Sequence, residues 1–242
     1  LCDQATVSNV AFQLPRVHGV NARLISELVV EDSLFNLPVT DLPTVEVQGV
    51  SISGGSARVR NIEVNDGMVG VAFGHAQACD TALTPSNGEI LNSTFAGEYG
   101  ASIYVTCSTD LRVAGNNVAT DPRHGIAIVG EGPFFSAVTG LLVEGNVVHD
   151  SSLGIQLRGV TDSTVTRNQV NDSVGWGIAA TKSLGCDGPL PGWECFYSTA
   201  NLISENLALG SSPDLYHDAG STGNTWINNA CITKIGIDIP DC

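Results

Sequence analysis

Cations are scarce in this chain. It has 10 lysines and arginines against 25 aspartates and glutamates, a formal net charge of -15, and its only lysines are Lys182 and Lys234. Such a surface repels polyphosphates, which excludes nucleic acid and anionic membranes as partners. Charged residues of both signs reach only 14% while hydrophobic residues reach 43%, enough for a core and too much for disorder. No apolar run reaches 18 residues, so no helical membrane span is expected. No Cys-x-x-Cys pair occurs among the seven cysteines, which argues against a structural zinc site. Cys186 with Cys195, Cys231 with Cys242 and Cys79 with Cys107 are read as disulfides of an oxidising compartment, with Cys2 left over. A secreted or cell-surface location follows. The chain starts at Leu1 without a signal peptide, as a processed or excised product would. A phosphate loop, a dinucleotide fingerprint and a Gly-x-Ser-x-Gly elbow are also missing.

Turn formers are plentiful. The 27 glycines, with many Asn, Ser and Thr, imply frequent bends between short strands. The bends recur on one plan. Asn61 starts "NIEVNDGMVGVAF", Asn92 "NSTFAGEYGASIYV", Asn116 "NNVATDPRHGIAIVG", Asn146 "NVVHDSSLGIQLRG", Asn168 "NQVNDSVGWGIAAT" and Asn206 "NLALGSSPDLYHD". Upstream, an apolar residue stands three positions before the Asn: Val113, Val143, Val165 and Ile203. A repeat of roughly 20 to 40 residues marks a solenoid, and the shortest spacings hold three short strands and three bends. One such rung cannot bury its own apolar face. Rungs stacked in parallel, about 4.8 Å apart, can.

The pattern from Val45 to Cys231 resembles the right-handed parallel β-helix repeat proteins, the pectate-lyase-like superfamily. The expected fold is therefore all-β: a single-stranded right-handed parallel β-helix over residues 45–242, closed by a C-terminal disulfide. Residues 1–44 are expected to be an N-terminal capping segment or a first irregular rung. Within them Ala22 to Phe35 reads as a strand pair or a short helix. An uncapped end would leave strand edges open to end-to-end self-association. The Asn column is read as bend residues in the left-handed region that also hydrogen-bond along the axis. The Gly of "GI" is read as a tight-turn residue.

Three insertions, Gly74 to Glu89, Gly130 to Thr139 and Ser183 to Ala200, all follow the "GI" strand and should leave the coil at one corner. Between the last two lies only the short link Gly159 to Ser163, so tall loops beside a short link make a notch. Phe134, Phe135, Trp193, Phe196 and Tyr197 on these loops are candidates for stacking on sugar rings, or for anchoring the loops. Arg158 and Lys182 enter the notch from adjacent rungs; they suit a carboxylate, or simply neutralise Glu131 or Asp162.

Alignment on "GI" stacks Asp66, Asp121, Asp150 and Asp172 near one turn, with His124 and His149 close by. Three readings follow. Asp121, Asp150 and Asp172 form a calcium site; a carboxyl beside a His does acid/base work; or Asp merely caps its own turn. Alginate C5-epimerases of this fold carry Asp-Pro-His before an acid. Asp121 and Pro122 match, but Arg123 stands where the His should be, His124 comes one step late, and Gly125 then replaces the acid. The Asp-Asp, Gly-His-Gly and Arg-Ile-Lys strings of polygalacturonases are absent, so a hydrolase of that class is not expected. Tyr216-His217-Asp218 is a lyase-like set or C-terminal packing. The resemblance implies a secreted protein that binds or processes a polysaccharide or cell-surface glycan, by β-elimination or C5 epimerisation if it is catalytic. His149 or His124 would act as base, with Asp150 and Asp121 beside them and Arg158 on the substrate carboxylate. Lys182, Phe134, Phe135, Trp193 and Tyr197 would bind substrate. The alternative is a non-catalytic adhesive, structural or fibre-forming protein.

Overall fold

The computed structural model describes residues 3–13, 18–38, 47–74, 86–119, 123–130, 138–183, 196–236 and 238–242. Their regular elements are strands, and the strands of successive rungs pair in parallel. This is the expected parallel β-helix, and it has three faces. The first face carries Val69–Phe73, Ala101–Val105, His124–Val129, Leu153–Arg158, Ile178–Thr181 and Leu215–His217. The second carries Ser86–Leu91, Ser108–Ala114, Leu142–Glu144, Thr164–Thr166, Leu202–Ser204 and Thr225–Ile227. The third carries Leu34–Asn36, Glu63–Asn65, Thr94–Ala96, Asn117–Ala119, Val147–His149, Gln169–Asn171 and Leu207–Leu209.

Parallel pairing begins well before residue 45. The long strand His18–Glu31 pairs with Gln48–Arg60, setting Val30 beside Val59, and Leu34–Asn36 pairs with Glu63–Asn65, setting Phe35 beside Val64. Ala22 to Phe35 is thus strand, not helix. Gln4–Ser8 and Ala11–Gln13 complete the first described rung and have a strand partner on one side only among the described residues.

Each face sends at least one apolar column inward, and the first sends a second through Phe73, Val105, Ile128, Leu157 and Ala180. On the second face the column runs Val30, Val59, Ile90, Val113, Val143, Val165, Ile203 and Trp226, all buried. On the first the other column runs Val71, Ile103, Ile126, Ile155, Ile178 and Leu215. On the third Phe35, Val64, Phe95, Val118, Val148 and Val170 stack in register. β-Branched side chains fit these short strands because their stiff χ1 suits a pleated surface. Burying each contributes about 1.5–3 kcal/mol.

The corner between the second and third faces is held by a side-chain ladder. The Oδ1 of Asn146 accepts from the Asn116 backbone N–H at 3.0 Å and from its Nδ2 at 2.9 Å. Asn168 does the same for Asn146, and Asn206 for Asn168. Each Nδ2 also reaches a backbone carbonyl, from Asn146 to Val113 and from Asn168 to Val143, both at 2.9 Å. The ladder runs on through Asn229 and begins at Ser93, not at Asn92. The left-handed residue is the one before it: Asn61, Asn92, Gly115, Gly145, Arg167, Glu205 and Asn228 all have positive φ. One expected column is therefore two adjacent ones, and Asn61 and Asn92 belong to the other. The "GI" glycines also differ from expectation. None of Gly125, Gly154 and Gly177 has positive φ. A Cβ on Gly125 would lie 2.4 Å from the Val148 side chain, and one on Gly154 the same distance from Val170, so these glycines make room over the core.

The Asp column is a third bend. Asp66, Gly97, Asp150, Asp172 and Gly210 all take positive φ there. The next residue turns inward and is buried as Ser151, Ser173 and Ser211, but in one rung it is Glu98. Glu98 is fully buried, accepts from Ser102 Oγ at 2.9 Å through Oε2, and leaves Oε1 without a partner. Burial pushes its carboxyl up to about 8.

Two outcomes follow. Asn168→Ala strips partners from the Asn146 N–H and the Val143 carbonyl, and should cost about 2–4 kcal/mol in denaturant unfolding, since buried unpaired polar groups cost about 1–3 each. For Glu98, the folded chain keeps its proton above the pH at which the unfolded chain releases it, so stability falls as pH rises from the ordinary carboxylate range to about 8. Glu98→Gln should melt higher than the parent at pH 8 and equally at pH 4; equal melting at both would show that the carboxyl is not protonated in the fold.

Candidate functional site

Alternation along Leu153–Arg158 builds the site. Ile155 and Leu157 point into the core, which turns Gln156 and Arg158 outward on the first face. Register with the flanking rungs then brings partners alongside: Val129 and Thr181 sit beside Arg158, His124 beside Leu153, and Lys182 continues past Thr181. One rung further Tyr216 points outward next to Ala179. Its ring stacks on Trp176, with centroids 4.7 Å apart and planes 10° from parallel. Together with Ser183 and Asp218 these residues line a notch of about 260 Å³.

The inserted loops expected to wall the notch lie mostly outside the described residues, at 75–85, 131–137 and 184–195. Just past their first-face strands, Gly74, Gly130 and Ser183 each donate a backbone bond to a neighbouring segment: Gly74 to Ile52, Gly130 to Arg158, and Ser183 to Phe196. Gly159, at the short link, donates in the same way to Thr181. A Cβ there would stand 2.5 Å from the Gly130 carbonyl and 2.9 Å from Phe196, so the Gly159 turn packs directly against both.

His124 is held below its ordinary value, first by burial and then by the charges of Arg158 and Arg123. Protonation would add a third cation to a partly desolvated spot, so the ring is neutral at pH 7 and able to accept a proton. Its Nδ1 is buried without a partner, as is Oε1 of Gln156, which is only 4% exposed. The notch thus combines cations at Arg158 and Lys182, a carboxylate at Asp218, two acceptors and a flat aromatic wall.

The other predicted residues lie elsewhere. His149 closes the third-face strand Val147–His149, and its Nδ1 meets Asp150 Oδ2 at 2.9 Å. Neither lines the notch, because a bend and a change of sheet separate them from Arg158. Asp150 and Asp172 serve as left-handed bend residues, and Asp172 Oδ1 lies where a Cβ on Gly210 would stand, 2.3 Å away. Among the described residues no three His, Cys, Asp or Glu converge in a way that would hold a metal ion, so the calcium reading has no support there. Asp121, Phe134, Phe135 and Trp193 lie outside the described residues. Tyr197 is 39% exposed and packs its ring over Gly220 rather than into the notch. Tyr216 and Asp218 line the notch, but strand alternation sends His217 between them into the core, 3.0 Å from Asn224 Nδ2 and beside Trp226. The three-residue set is split across two sides of the strand.

Gln156 and Trp176 were not anticipated. Gln156 carried a usable signal: it stands two positions before Arg158 and so shares its face. Trp176 precedes the "GI" strand of its rung and becomes visible only once Tyr216 is stacked above it.

Cys231 and Cys242 form the expected disulfide, and Cys107 is disulfide-bonded; Cys2, Cys79, Cys186 and Cys195 lie outside the described residues. No helix of the described residues is long and apolar enough to cross a membrane.

Among solved structures the chain is similar to the mannuronan C-5 epimerase AlgE4 A-module of Azotobacter vinelandii, at 10% identity and a TM-score of 0.40 over 88% of this chain and 61% of that one. It is also similar to the Dettilon tailspike protein, at 12% identity and a TM-score of 0.36 over 94% of this chain and 60% of that one. The chain therefore spans about three fifths of each. Among curated proteins none matches. A family model described as "Periplasmic copper-binding protein (NosD)" matches residues 31–237, and its periplasmic description agrees with the secreted or cell-surface location expected from the cysteines. Matched over most of its length, this chain belongs to the NosD family.

Proposed function

We propose that the notch binds an acidic polysaccharide. The observation that carries this reading is the pairing, in one 260 Å³ recess, of two neighbouring cations with a stacked aromatic wall. Arg158 and Lys182 suit the carboxylate of a uronate, and the Trp176–Tyr216 pair suits the apolar face of a sugar ring. In so acidic a chain a bare polyanion is repelled at long range, so the local cations act as a selective spot rather than as a steering field.

If the site is catalytic, the chemistry is proton abstraction beside the carboxylate. Neutral His124 takes the C5 proton, Arg158 neutralises the carboxylate on which the electron pair delocalises, and in β-elimination that pair closes a C4–C5 double bond as the C4–O bond breaks, the departing oxygen taking a proton from water. Return of a proton to the opposite face gives epimerisation instead. His149 and Asp150 are too far round the coil to share this step.

Copper does not enter this reading. A copper site needs several imidazole or sulfur donors together. Among the described residues His124 sits between arginines, His149 pairs with Asp150, His217 is buried with Asn224, and the described cysteines are oxidised. These donors do not converge.

The alternative is a fibre or adhesive subunit, in which coil ends would pair in parallel as successive rungs do. Sedimentation that stays monomeric at every concentration counts against it.

Titration calorimetry with oligouronates should show binding that Arg158→Ala weakens about tenfold, close to 1.4 kcal/mol. A neutral oligosaccharide of equal length should bind the parent no better than it binds the variant. Equal affinity of the parent for charged and neutral sugars would end this reading. Turnover, read as unsaturated-product absorbance or a changed epimer ratio, should vanish in His124→Ala and persist in His149→Ala. By NMR, His124 should titrate below the ordinary His range, and Arg158→Met should move it upward, since removing a nearby positive charge favours the protonated ring.

A further inference from the structure

We infer that Gln156 is a specificity residue of the notch: its buried side-chain carbonyl reads a hydroxyl of the bound sugar, so that the site takes a hydroxyl-bearing uronate and rejects a simple inorganic anion. This rests on the acidic-glycan reading above and sharpens it.

The argument starts from an unmet acceptor. Gln156 Oε1 is buried with no hydrogen-bond partner, in a side chain 4% exposed that lines the notch. An amide oxygen accepts and cannot donate. Leaving it dry is unfavourable, so the fold places it there at a loss unless something donates to it. Its neighbours in the rungs on either side are Ala127 and Ala179, whose side chains have nothing to offer. A donor from the notch, which Gln156 lines, reaches it once the side chain turns Oε1 toward that space.

The ligand's chemistry follows from what lines that space. Arg158 stands two residues further along the same strand, on the same side and roughly 7 Å away. Asp218 adds a carboxylate. A sulfate dianion brings acceptors alone; it would suit the charges of Arg158 and Lys182 but would face Gln156 Oε1 and Asp218 with repulsion. A uronate brings both kinds of group, a carboxylate and ring hydroxyls about one sugar width apart. It can set its carboxylate on the cations, donate a hydroxyl to Gln156, and lay its ring on Trp176. A site built to receive a hydroxyl rejects the analogue lacking it, because the acceptor is then left unpaired.

The test uses oligouronates, the same oligomers O-methylated at their hydroxyls, and inorganic sulfate, each titrated into the whole chain and into Gln156→Leu and Arg158→Ala. The parent should bind the hydroxylated oligomer at least tenfold tighter than the methylated one, and sulfate should not compete. Gln156→Leu should lose about tenfold for the hydroxylated oligomer and nothing for the methylated one. If Gln156→Leu fails to fold, by circular dichroism, the comparison of the two oligomers on the parent still decides. Equal affinity of the parent for both oligomers, or an unchanged Gln156→Leu beside a weakened Arg158→Ala, overturns the inference and leaves the glycan reading standing: the carbonyl then serves water only. No binding of any oligomer overturns both.

Discussion

No rung of this coil can satisfy its own backbone. A strand of three residues such as Gln169–Asn171 finds its partners only in Val147–His149 on one side and Leu207–Leu209 on the other. The corners face the same demand, because a bend has no ladder of its own. The Asn116–Asn146–Asn168–Asn206 stack answers it by letting each side chain act as a strand would, accepting from one rung and donating to another. Asn does this because its amide carries both a donor and an acceptor in one plane. Asp or Leu at these places would supply one half or neither.

That constraint frees the outside of the coil. Core columns and ladders use the inward positions, so outward side chains can be chosen for what they bind. On the second face they are used for exposed ion pairs: Arg112 and Arg167 both meet Glu144 at 2.7 Å, and Arg60 pairs with Glu31. Such exposed pairs contribute little to stability. On the first face the outward positions instead gather a histidine, an arginine, a lysine, a glutamine and two aromatic rings into one recess. Glu98 is an exception to this division. It is a carboxyl turned inward at a bend where other rungs place Ser, and it is held there largely by keeping its proton.

The notch was partly legible in the residues. His124, Arg158 and Lys182 were legible because each sits at a fixed offset within its rung, and rungs with the same plan stack in register. His149 was misleading for the same reason. It shares a short quoted stretch with Arg158, and closeness along the chain suggested closeness in space; the bend at Asp150 to Ser151 sends the two onto different faces. The Tyr216-His217-Asp218 string failed as a unit because a strand alternates its sides.

Periodicity alone determined the architecture. Short apolar stretches between recurring Asn, Asp and Gly bends permit few ways of burying their surface, and stacked parallel rungs are the one that also satisfies the backbone. Which residue of a bend turns left-handed and which joins the ladder differ by a single position, as at Asn92 and Ser93, and only the folded coil separated them. The same holds for the recess. The contact between Trp176 and Tyr216 and the dry carbonyl of Gln156 exist only between rungs, where residues distant in sequence come within a few ångströms.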